Sequence, residues 1–111
     1  MQASPLEIRS ERHEDSGRLT IAGELDIATA PQVEQAVGAM LEEGVSELVI
    51  GLRDLTFIDS SGLRLLIALN NRANAESWKL SLIRPSDRSL SVFQITGADE
   101  NLPFIEEPSA P

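Results

Sequence analysis

Three side chains able to carry or orient a reactive oxygen, Asp59, Ser60 and Ser61, fall together within Thr56-Phe57-Ile58-Asp59-Ser60-Ser61-Gly62-Leu63. Thr56, Phe57 and Ile58 are strand formers, Asp59 and Ser60 are N-cap types, and Leu63 opens a long apolar run at helical density. The stretch reads as the end of a buried strand that turns directly into a helix. A serine hydroxyl there lies at the positive end of the helix, near the surface, where unpaired backbone N–H groups and the macrodipole favour negative charge. The chemistry that suits such a hydroxyl is acceptance of a phosphate. Asp and Ser ahead of an apolar helix are most often caps and nothing more. Three such residues in one turn, followed by a glycine that lowers helix propensity, exceed what one cap requires.

Other chemistries lack their parts. His13, the one histidine, sits in a charged segment and reads as an ordinary exposed residue. There is no GxSxG elbow, phosphate-binding loop with lysine, GxGxxG or HExxH, so hydrolytic, nucleotide-hydrolysing and zinc chemistry have no scaffold and the chain is not expected to be an enzyme. Glu24, Asp26, Asp54 and Asp59 suggest magnesium ligands of a phospho-aspartate receiver domain. That site needs paired acids after the first strand and a lysine after the last, whereas the one lysine, Lys79, starts a strand. The carboxylates are read as solvated or capping groups, with no metal or cofactor expected.

The elements that must position the serines follow from periodicity. Leu6 to Glu14 alternates but is strongly charged, an edge strand, and Asp15-Ser16-Gly17 is a turn into a second strand, Arg18 to Ala22, ended by Gly23. Thr29-Ala30-Pro31-Gln32 has the form of a capping box with proline in the first turn. The helix after it places Val33, Ala36, Val37, Met40 and Leu41 on one face and closes at Gly44. Leu48 to Leu52 is an apolar run suited to a central strand, and Arg53-Asp54-Leu55 leads from it to the serine turn. Leu63 to Leu69 is apolar around most of the helical circumference and implies a well-buried helix, followed by polar Asn70 to Ser77. Trp78, Leu80 and Leu82 share one face of a further strand. Pro85-Ser86-Asp87 starts a third helix with Leu90, Phe93 and Ile95 inward and Gly97 as its stop, and Leu102 to Ile105 forms a short edge strand containing Pro103. The order is ββαβαβα(β): an α/β fold with a small mixed sheet, right-handed crossovers and helices packed on it.

The chain has 111 residues, enough for one domain with a core. Hydrophobic residues are 41% and aromatics 4%, so that core must be aliphatic. The domain is placed at residues 6–105, with a short extension at 1–5 and a disordered tail at 106–111. A net charge of −9 with no basic run argues against nucleic acid or an anionic membrane as partner and for a partner with a basic face. Absence of cysteine excludes disulfides and thiol chemistry, and with no leader-like or membrane-spanning stretch the reading is a cytoplasmic protein, expected to be a monomer.

GELDIATAP (Gly23 to Pro31) followed by LRDLTFIDSSGLRLLIAL (Leu52 to Leu69) resembles the STAS domain of bacterial anti-anti-sigma factors, the anti-sigma factor antagonists. The resemblance runs from about Leu6 to Ile105. It implies that Ser60, matching the first serine of the family's DSSG motif, is phosphorylated by an anti-sigma factor that is itself a serine kinase, and that a phosphoserine phosphatase reverses this. The unphosphorylated form would bind the anti-sigma factor and free a sigma factor for transcription. Asp59 would flank or orient the acceptor, Ser61 would be a cap or secondary polar group, and Gly62 would let the partner approach. The loop holding Glu24 and Asp26 resembles the family's partner-contacting loop, with Asp26 pairing to a basic residue of the kinase. STAS domains that serve in stress-signalling complexes, or that regulate a lipid-transporting ATPase, form the alternative within the same resemblance.

Overall fold

The computed structural model of the chain describes residues 5–86 and 101–106. The expected third helix, residues 1–4 of the N-terminal extension and residues 107–111 of the tail lie outside them. β1 (Leu6–His13) and β2 (Ser16–Leu25) pair antiparallel. The turn between them falls one residue earlier than the glycine suggested, on Glu14 and Asp15, with Glu14 left-handed at φ 57. Gly17 is taken into β2 instead, where a Cβ would stand 2.9 Å from Met40 Sδ and 3.2 Å from Val45 Cγ1. The absence of a side chain at Gly17 therefore serves helix packing, not the turn.

β2 does not end at Gly23. It continues to Leu25 beside β3 (Glu47–Ile58), and irregularities between Thr20 and Ala22 and between Gly23 and Glu24 keep the two strands in step. β3 in turn continues through Arg53-Asp54-Leu55 to the serine turn. β4 (Lys79–Ile83) and β5 (Phe104–Ile105) extend the sheet in the order β1-β2-β3-β4-β5, with every pairing after the first hairpin parallel. The mixed sheet with β1 and β5 at its edges agrees with expectation, and Pro103 immediately precedes the short β5.

Two of the connections between parallel neighbours are helices. α1 (Ala30–Glu42) joins β2 to β3, and α2 (Ser60–Glu76) joins β3 to β4. Strands taken up in sequential order by crossovers of one hand put their helices on one side of a sheet. Accordingly α1 packs on β1 and β2, α2 on β3 and β4, and the helices touch each other. The aliphatic core lies between: Leu19, Ile21 and Leu25 from β2, Leu48, Ile50 and Leu52 from β3, Val33 and Val37 from α1, and Leu66 from α2 are all within 1% of full burial. Arg12 ties the hairpin to the end of α1, its guanidinium 3.2 Å from Glu43 Oε1 and donating to the Glu43 carbonyl at 2.6 Å.

α2 departs most from its sequence reading. Residues 70–76, expected to leave the helix, complete it, and Ala73 in that part is buried. Nor is its apolar segment covered all round, because Ile67 and Ala68 face solvent while Leu63, Leu65, Leu66 and Leu69 face the core. Ser77 ends the helix in the left-handed conformation, its N–H donating to the Ala73 carbonyl. No helix among the described residues is long and apolar enough to cross a membrane.

Candidate functional site

β2 and β3 are parallel neighbours, so their carboxyl ends lie side by side, with Glu24 beside Phe57 and Leu25 beside Ile58. The loop leaving β2 and the turn leaving β3 therefore meet, and the Asp59 N–H donates to the Leu25 carbonyl at 3.2 Å to tie them. This juxtaposition brings Glu24 and Asp26 to the same end of the sheet as Asp59, Ser60, Ser61 and Gly62. All six residues singled out in the sequence fall within it.

Asp59 is the N-cap of α2, with extended backbone (φ −108, ψ −173). Its Oδ1 accepts the N–H groups of Ser61 at 2.8 Å and Gly62 at 3.0 Å, and its carbonyl accepts the Leu63 N–H at 3.0 Å. The helix start is thus less open than its sequence suggested, because a carboxylate already fills two of its orphan donor positions. Ser60, the first helical residue, is exposed, and its hydroxyl makes no hydrogen bond to another described residue. Ser61, next along, is half-buried and lines a groove of about 500 Å³ between α1 and α2, with Ile27, Ala30, Arg64, Leu65 and Arg72 among its walls. The two serines are therefore not equivalent: one hydroxyl projects from the helix start and the other sits against the groove.

Gly62 corrects an expectation. It is buried, and a Cβ there would stand 2.7 Å from the Leu25 carbonyl oxygen, 2.8 Å from Leu25 Cγ and 2.9 Å from Ile58 Cγ1. What approaches this glycine is the protein's own β2. Its role is to let α2 begin directly against the sheet, which fixes Ser60 in place; a partner has no access to it.

The β2–α1 loop also differs from its reading. The carboxylate of Asp26, which the resemblance directs at a basic residue of a partner, is engaged within its own loop: its Oδ1 accepts the N–H of Ala28 at 2.9 Å and of Thr29 at 3.1 Å, and lies 3.2 Å from Thr29 Oγ1. Thr29, the N-cap of α1, makes no side-chain bond into its helix, so the capping box does not form. Its buried hydroxyl turns back into the loop, donating to the Glu24 carbonyl at 2.8 Å and accepting the Asp26 N–H at 2.9 Å. A local side-chain to backbone network has outcompeted the helix cap. It leaves the loop well defined, with Glu24 exposed and Asp26 half-buried.

Two residues of this end were not singled out from the sequence. Ile27 is 76% exposed at the loop tip and Phe57 48% exposed beside Glu24. An isoleucine between Asp26 and the helix cap was a readable signal, since a loop seldom spends a large aliphatic residue on solvent. Phe57 was masked by its place in an apolar strand. Among the described residues no three His, Asp or Glu side chains form a group able to hold a metal. The end of the sheet thus offers an exposed hydroxyl at a helix start, flanked by acidic and apolar side chains.

Comparison with known proteins finds relatives of the chain in sequence and in fold. The family model described as Mlab, STAS domain, matches residues 8–106. The chain is 30% identical over 92 residues to the anti-sigma-B factor antagonist of Staphylococcus epidermidis, an alignment that covers 83% of this chain and 85% of the relative. In three dimensions it is similar to the crystal structure of an anti-sigma factor antagonist from Mycobacterium paratuberculosis, with a TM-score of 0.79 and 27% identity over 96% of this chain and 92% of that one. The same fold is found in the Bacillus cell fate determinant SpoIIAA in its phosphorylated form, at a TM-score of 0.70 and 21% identity over 93% of each chain.

Proposed function

The chain belongs to the STAS domain family, and from that premise we propose that it is an anti-sigma factor antagonist that binds an anti-sigma factor with serine kinase activity, frees a sigma factor, and is switched off by phosphorylation of Ser60. The observation that carries the reading is the state of Ser60: an exposed hydroxyl without a hydrogen bond among the described residues, at the first position of a helix whose start is locked by Asp59. The names of the relatives, antagonists of anti-sigma factors, supply the partner class.

The chemistry divides between the two proteins. The kinase removes the proton from Ser60 Oγ, the oxygen attacks the γ-phosphorus of ATP, an O–P bond forms and ADP leaves. This chain contributes position. Gly62 packed on Leu25 and the Asp59 cap hold the attacking oxygen where a partner docked on the β2–α1 loop can reach it. Glu24, Ile27 and Phe57 offer that partner charge and apolar area around the serine. A phosphate then adds about −1.5 to −2 charges at neutral pH to a face that received a neutral hydroxyl, and the complex weakens.

Incubation with the anti-sigma kinase of the source cell, ATP and magnesium tests this. Mass spectrometry is expected to find one phosphate, on Ser60, in the native protein and in Ser61→Ala, and none in Ser60→Ala, which still binds the kinase. Without the kinase the nucleotide stays intact and the protein unmodified. Phosphate on Ser61, or modification without a kinase, would sink the reading.

A further inference from the structure

A phosphate on Ser60 needs compensation that the helix start alone does not give. The N–H groups of Ser61 and Gly62 are held by Asp59 Oδ1 at 2.8 and 3.0 Å, and the Asp59 carboxylate adds a like charge next to the phosphate. The nearest turn of the same helix face supplies what is missing. On an α-helix residues four apart are neighbours, about 6 Å along the axis, and the residue four beyond Ser60 is Arg64. Arg64 is exposed and holds no carboxylate among the described residues, whereas Arg12, Arg72 and Arg84 each have one within 3.2, 2.9 and 3.4 Å.

We infer that Arg64 is the chain's own receptor for the Ser60 phosphate, forming an i,i+4 phosphoserine–guanidinium pair on the first turns of α2. The inference rests on Ser60 as the phosphoacceptor and adds how the phosphate is read. Three features favour the pair: the anion is on the N-terminal side of the cation, the anion lies at the helix N-terminus, and the guanidinium fork matches phosphate oxygens two at a time. The pair has a structural consequence because Arg64 also lines the α1–α2 groove with Ser61 and Ile27. Drawn toward Ser60, its guanidinium leaves one position on the groove and takes another at the helix start, so phosphorylation reshapes the face offered to a partner as well as charging it. Ser60→Asp, with one charge and a shorter reach, reproduces this incompletely.

Protein carrying phosphoserine installed at residue 60 by genetic encoding allows a direct test, by ³¹P NMR titration through the second ionisation of the phosphate. The pair holds the phosphate as the dianion, so its midpoint is expected lower in the native background than in Arg64→Gln by about 0.5 pH unit, roughly a threefold change in the ionisation constant. Arg64→Lys, charged but without the fork, should fall between. Arg72→Gln, which removes the same charge three turns away, should titrate as native, and the difference at Arg64 should shrink in high salt. Circular dichroism of each variant checks that the fold is retained. Identical midpoints for native and Arg64→Gln overturn the inference. Because the phosphate is installed without a kinase, a kinase that chooses Ser61 refutes the proposed function but leaves this titration readable, and equal midpoints refute the pairing while Ser60 remains the acceptor.

Discussion

Asp59 and Asp26 look alike in sequence, an acid ahead of a helix, and the structure gives both a bonding role that their types only partly announce. For Asp59 the role is the expected cap. Replacing it with Ala should cost about 0.5–2 kcal/mol in chemical denaturation, and with Asn much less, since Asn caps as well. Asp26 was legible as a loop residue near the site, but its engagement by Ala28 and Thr29 was not, because periodicity says nothing about which way a threonine hydroxyl turns. The two roles of Asp26 separate by mutation. Asp26→Asn keeps an acceptor oxygen for the loop N–H groups, so the melting temperature should hold while affinity for the kinase falls by about 1–3 kcal/mol if the charge is paired across a desolvated interface. Asp26→Ala should also lose about 1 kcal/mol of stability. Unchanged affinity in Asp26→Asn would remove its charge from the interface.

Among the elements, α2 decides where the site is, and its start was more legible than its length. The Thr56 to Leu63 stretch announced a strand-to-helix turn, and β3 and α2 meet there as read. The polarity of residues 70–76 hides their helical state, because they complete the exposed end of a helix that still buries Ala73. Gly62 shows the same limit, since it takes the parallel neighbour β2, distant in sequence, together with Ile58 to explain why no side chain fits. Gly62→Ala should therefore destabilise by about 1–3 kcal/mol through overpacking against the Leu25 backbone and Ile58, measured by urea denaturation, where an exposed glycine in a helix would instead gain from alanine. At the other end of α2 the carboxyl of Glu76 is held below its ordinary pKa, first by a hydrogen bond from Arg72 and then by one from Trp78 Nε1. A depressed folded-state pKa contributes stability above the unfolded value, and this is lost as pH falls through the folded value. The group is exposed, so the effect should be seen as a lowered Glu76 midpoint in NMR titration that Arg72→Gln moves upward, and it should fade in high salt.

On the scale of the molecule, composition and order of elements were enough for the fold class: an aliphatic core, a charged edge hairpin and alternating strands and helices give one mixed sheet with helices packed on it. What they could not give is adjacency, namely that the second crossover begins beside the end of β2, which turns two separate motifs into one surface. That surface belongs to a chain of net charge −9. Its association with a basic partner should be faster at low ionic strength, with the on-rate falling as salt rises. The central claim is that a single phosphate on Ser60 ends that association, and the most direct measurement is calorimetric titration of the anti-sigma kinase with unmodified protein and with protein bearing phosphoserine only at residue 60. Affinity is predicted to fall at least tenfold, about 1.4 kcal/mol, with the melting temperature little changed; equal affinities for the two forms would contradict the account.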